Sequence, residues 1–132
     1  MPQVVLEETT ADRSRPGAAD IAAFVQTYAQ AHPGRDDAIY VAAATHLDEG
    51  EAQVLSLAYV LECGVLMDER RGRQTAIRQN IPLFGTLGVL LQAKRMGRIE
   101  RIETILDRIQ TNGYRISQTL VKEALMLANE LP

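Results

Sequence analysis

Between residues 38 and 96, short apolar runs alternate with longer amphipathic ones, and this rhythm constrains the fold most. AIYVAAA (38–44) is apolar, holds β-branched and aromatic residues and is bounded by polar groups, so it reads as a buried strand. A helix is predicted over about 49–62, with Val54, Leu55, Leu57, Ala58 and Leu61 on its apolar side and Gly64 as its stop. A short strand at 64–67 reaches Asp68, a basic helix spans 70–79, and a third strand lies at 81–84. Thr86 reads as the N-cap of a helix that ends at Gly97. Strand, helix and strand in succession indicate a parallel sheet covered by helices. Apolar strands without alternation agree, because parallel strands are buried on both faces.

Helices are also predicted over 2–11, after Pro2, and over 18–31, stopped by His32, Pro33 and Gly34. A further helix covers 98–110, with Ile99, Ile102, Ile105, Leu106 and Ile109 on one face, and Ser117 caps a last one running to Glu130. A chain of 132 residues suits one domain. Its 46% hydrophobic content suffices for a core and excludes disorder throughout. The apolar runs are far too short to span a membrane, and the N-terminus lacks the basic and apolar regions of a signal peptide. The one cysteine, Cys63, excludes an internal disulfide and suits a reducing cytoplasm; before Gly64 it reads as a small buried residue.

Charge is segregated. Residues 1–68 hold eleven acidic and three basic side chains, net −8, while residues 69–101 hold eight basic and two acidic, net +6. In open α/β sheets, ligands sit beyond the carboxyl ends of the strands, and two acidic clusters fall there. One is Asp48, Glu49 and Glu51; the other is Asp68 and Glu69; Glu7 and Glu8 form a third pair near the N-terminus. Converging carboxylates resist joint ionisation unless a cation neutralises them, and Mg²⁺ prefers such oxygen ligands. Each group also has a plain structural reading. Asp48 and Glu51 have the spacing of a capping box, Asp68 and Glu69 suit a helix N-terminus, and the arginines after them can pair with nearby acids. His32 and His46 have no partner at metal-ligand spacing, and no phosphate-cradling loop or nucleophile elbow appears.

The runs LDEGEAQVLSLA, GVLMDERRGRQTA, IPLFGTLGVLLQAKRMGRI and GYRISQTLVKEAL resemble the bacterial and archaeal branch of PIN-like domains, labelled as nucleic-acid-binding. MPQVVLEET adds Pro2, Val5 and Glu8 in the places of that branch's I-P-x-x-V-x-x-E segment. The resemblance implies a three-layer α/β/α sandwich around a short parallel sheet, as a single domain over residues 1–132. It implies a metal-dependent ribonuclease, commonly the toxin half of a toxin–antitoxin pair, that holds Mg²⁺ or Mn²⁺ on about four acidic residues. By motif, these ligands and catalytic residues are Glu8, Glu51, Asp68 and Glu69, the last standing where the family pattern has a second Asp. Arg70, Arg71 and Arg73 would steer RNA, and an antitoxin protein would be the cellular partner.

The family pattern opens with a central strand ending in Asp, and that strand has no counterpart here. The chain must then re-pair its sheet, borrow a strand or hide the open edge in a homo-oligomer, and the expectation is a dimer or higher assembly; the alternative is a reading frame that begins further upstream. Two functions stay open: a metal-dependent endoribonuclease, and a catalytically impaired PIN-like module that binds nucleic acid or protein.

Overall fold

The computed structural model describes residues 1–131 and divides into two compact units, Met1–Leu83 and Phe84–Pro132. The first holds α1 (Gln3–Thr10), α2 (Ala18–Tyr28), α3 (Ala38–Ala44), α4 (Glu49–Leu61), β1 (Val65–Leu66) and α5 (Arg70–Arg78). β2 (Leu83–Phe84) pairs with β1 in a short parallel two-stranded sheet. The second unit holds α6 (Thr86–Arg95), α7 (Glu103–Thr111) and α8 (Gln118–Leu127).

The strand expected at 38–44 is a helix, α3, so the sheet has two strands among the described residues. The reason is local. The Asp37 carboxylate caps α3 by accepting from the Tyr40 N–H at 3.0 Å, and four of the seven residues are alanine, the strongest helix former. Ile39, Tyr40, Ala43 and Leu47 turn one face onto α4, at helical rather than alternating spacing.

α4 is the spine of the first unit. Ala52 and Leu55 are fully buried and pack with Val65, Met67, Ala76 and Ile81. Its polar residues Gln53 and Ser56 are buried too, and each is satisfied. Gln53 accepts from the Arg35 N–H at 2.9 Å and donates to the Arg35 carbonyl at 2.9 Å. Ser56 donates to Asp37 at 2.7 Å, and the Arg35 guanidinium joins both. The segment leading into α3 is thereby tied along α4. α1 is held by a parallel bridge between Pro2 and His32, in which Gln3 N–H donates to the His32 carbonyl at 2.7 Å.

Several boundaries differ from the sequence reading. α4 ends because Glu62, not Gly64, adopts the left-handed conformation (φ 51°). Cys63, beside it, is exposed rather than buried. Asn80 takes φ 55° after α5, and Ile81 N–H then returns to the Ala76 carbonyl, which turns the chain into β2. Gly72 lies in α5 under the Met67 side chain, whose thioether occupies the place a Cβ would take.

The second unit packs Ile102, Leu106, Ala124, Leu125 and Ala128 against apolar residues of α6. Gly85, not Thr86, is the N-cap of α6. α7 begins at Glu103 rather than Arg98, because the carboxylate that receives its first N–H groups comes from Glu130. Ser117 caps α8 as expected, accepting from Leu120 N–H at 3.2 Å.

Candidate functional site

The acidic residues singled out from the sequence lie in the first unit, around the N-terminus of α4. Asp48 and Glu51 form the expected capping box. The Asp48 carboxylate accepts from Glu51 N–H at 2.8 Å, and Glu51 reaches back to the Asp48 N–H at 3.4 Å. Between them Gly50 is buried, and its missing side chain makes room for a carboxylate from α1. A Cβ on Gly50 would stand 3.2 Å from Glu8 Oε2, 3.4 Å from Val5 Cγ2 and 3.6 Å from Asp48 Oδ1. Glu8 and Asp48 therefore flank one point on the helix start.

Glu51 also meets the far side of the site. Burial pushes its carboxyl up from the usual range, and the negative charges of Asp48 and Glu69 push it further; the Asp48 N–H pulls the other way. Glu69 is the N-cap of α5, with extended backbone and no side-chain capping hydrogen bond. Asp68 precedes it and is exposed, next to buried Met67. Glu8, Asp48 and Glu51 thus stand around the start of α4, where the helix dipole favours negative charge, while Glu69 lies at the start of α5 and reaches Glu51 through its charge alone. Asp48 was read from the sequence both as one of an acidic cluster and as a cap; its place beside Glu8 comes from Gly50.

No three His, Cys, Asp or Glu residues among the described residues are gathered into a group that could hold a metal ion. The donor chemistry nevertheless suits a hard divalent cation. All donors are carboxylates, one is half-buried, and the charges of its neighbours raise its proton affinity. A cation would relieve that repulsion.

Arg70 and Arg71, at the start of α5, are exposed. Arg73 differs: its guanidinium turns back and donates to the Met67 carbonyl at 3.1 Å, so it braces the β1–α5 turn. His46 was set aside as a metal ligand, and it does structural work instead. Its Nε2 lies 2.9 Å from Thr75 Oγ1 and its Nδ1 3.2 Å from Thr45 Oγ1, which ties the α3–α4 turn to α5. That contact fastens the turn before α4 to the second half of α5. His32 serves through its backbone, in the bridge to Pro2. Among the described residues no helix is long and apolar enough to cross a membrane.

Comparison with protein-family models matches residues 1–130 to DUF3368, a PIN domain. No curated protein and no solved structure matches the chain.

Proposed function

The chain belongs to the PIN domain family, and from that premise we propose that it is a divalent-metal-dependent ribonuclease, the toxin of a cytoplasmic toxin–antitoxin pair. The family points to a nucleic-acid-binding, nuclease-like function, and its members generally depend on divalent metal. The observation that carries the finer reading is the crowding of carboxylates at one helix start. Glu8 and Asp48 flank Gly50, and the Glu51 carboxyl is pushed up by burial first and then by the charges of Asp48 and Glu69.

Glu8, Glu51, Asp68 and Glu69 would hold Mg²⁺ or Mn²⁺. A bound divalent ion supplies a hydroxide nucleophile near neutral pH and neutralises charge on a phosphate oxygen. Asp48 keeps Glu51 in place through the capping box. His46 and Thr75 hold the α3–α4 turn against α5. Arg70 and Arg71 attract the RNA backbone beside the site, in a segment of strongly positive charge.

The test is cleavage of single-stranded RNA with and without Mg²⁺. Asp68 is exposed, so Asp68→Ala should fold normally and lose Mg²⁺-dependent cleavage. Cleavage that survives this change, or that ignores Mg²⁺, contradicts the assignment.

A further inference from the structure

α4 and α5 each carry a site carboxylate at the start, and both end at a cavity of about 500 Å³ that the proposed chemistry does not use. Tyr59, Glu62 and Cys63 line it from the end of α4, and Gln79, Asn80 and Pro82 from the turn after α5. The backbone around it is engaged. Cys63 N–H donates to the Ala58 carbonyl at 3.0 Å, Asn80 N–H to that of Ile77 at 3.1 Å, and Val65 N–H to that of Pro82 at 2.8 Å, which fastens one side to the other. The side chains are left for a ligand. Those of Tyr59, Glu62, Gln79 and Asn80 make no hydrogen bond or ion pair among the described residues.

The lining selects the ligand. Two helices end here, and the carbonyls of each end carry partial negative charge. Glu62 adds a carboxylate, and among the described residues no Lys or Arg lines the cavity. A phosphate is therefore repelled, while a neutral heterocycle bearing an amino group is attracted. Tyr59, 53% exposed, offers a ring on which such a heterocycle stacks. The Gln79 and Asn80 amides each pair a donor with an acceptor, the match for the amino group and N7 of adenine.

We propose that this cavity receives an adenine base of the single-stranded RNA whose backbone runs along α5 to the carboxylates. The source of the base rests on the ribonuclease reading. The surface between the two sites is basic. Arg71, Gln74 and Arg78 share one face of α5 and are exposed, and Arg70, Arg71 and Arg78 form no ion pair among the described residues. Arg70 to Arg78 rises about 12 Å, a span on the order of two to four nucleotides. The arginines hold phosphates along this span, and Arg78 stands next to Gln79, where the base turns into the cavity.

Cys63 reports on occupancy. It is the chain's one cysteine, it is exposed, and it lines the cavity, so a bound base shields its thiol from a reagent in solution. The rate at which a thiol reagent labels Cys63 in the full chain tests the proposal, with a chelator present so that no RNA is cut. Oligoadenylate should slow labelling at a concentration roughly tenfold or more below that needed of oligouridylate of equal length or of adenosine monophosphate. Tyr59→Ala and Gln79→Ala should each raise the oligoadenylate needed by roughly tenfold. Tyr59 is exposed and Gln79 half-buried, so circular dichroism should stay unchanged. Arg78→Ala should weaken both oligonucleotides alike and flatten the dependence on salt.

Labelling that ignores oligoadenylate, equal protection by oligouridylate or by adenosine monophosphate, or protection unchanged in both the Tyr59 and the Gln79 variant overturns the proposal. The two readings fail separately. RNA cleavage in Mg²⁺ without protection in chelator removes the base site and leaves the nuclease. Protection without cleavage leaves the base site and removes the nuclease.

Discussion

Glu130→Ala is expected to lower the stability of the C-terminal unit by about 2–4 kcal/mol, read as an earlier urea or thermal transition. The Glu130 side chain is only 4% exposed and accepts three hydrogen bonds: from Lys94 at 2.5 Å, from Ile102 N–H at 2.7 Å and from Glu103 N–H at 2.9 Å. It is the cap of α7, supplied from the far end of the chain. Asn129 makes this possible by taking φ 56°, which ends α8 and reverses the backbone. Removing the carboxylate strands two N–H groups and a Lys94 ammonium that is itself 25% exposed.

The same group sets a pH dependence. Burial pushes its carboxyl up, but the hydrogen bonds from Lys94, Ile102 and Glu103, with the Lys94 charge, prevail and hold it down at about 2. A depressed carboxyl stabilises the fold fully above its ordinary value of 4.5, and that support is lost as pH falls towards 2. The gap in stability between the wild type and Glu130→Gln should therefore shrink steadily on acidification below about pH 4.5. A gap independent of pH would remove the charge from this account.

Glu51→Gln is expected to cut Mg²⁺-dependent RNA cleavage roughly 100-fold or more, while leaving the fold intact. Gln at the third helix position still completes a capping box, so α4 keeps its start. Stability should rise slightly at neutral pH. The Glu51 carboxyl is raised by burial first and then by the charges of Asp48 and Glu69, so ionising it opposes folding. That cost is absent below the ordinary carboxylate range and complete once the pH passes the raised value, so the variant gains on the wild type as pH rises. Melting temperatures of both proteins across the acid range check the sign. A variant that cleaves RNA like the wild type removes Glu51 from the site.

The legible parts of the fold were those written in local chemistry. The capping box of Asp48 and Glu51 and the Ser117 cap follow from spacing over three residues, and the Arg70–Arg78 helix from one basic segment. AIYVAAA was misread because a seven-residue apolar run looks alike in a buried strand and in a short helix that packs on one face only. The deciding signals were the Asp37 cap and the alanines. The start of α7 was misplaced because its capping carboxylate, Glu130, lies 27 residues further along than Glu103. Such a contact leaves no trace in a sequence window.

Glu8, Glu51 and Glu69 were singled out through motif resemblance, and their surroundings came from the structure. The gap at Gly50 brings Glu8 beside Asp48, and His46 joins α5 to the α3–α4 turn. Arg73 was assigned to RNA by its place in a basic run, but its guanidinium is engaged by the Met67 carbonyl. A charge count cannot show that a cation has turned back onto its own chain.

The central claim is that the carboxylates at the start of α4 form one cation site. Calorimetric titration of Mn²⁺ into the wild type and Glu51→Gln at neutral pH tests it most directly. Saturable binding of one ion per chain in the wild type, lost in the variant, is the expected result. A wild type that binds no ion, or a variant that binds it equally well, contradicts the claim.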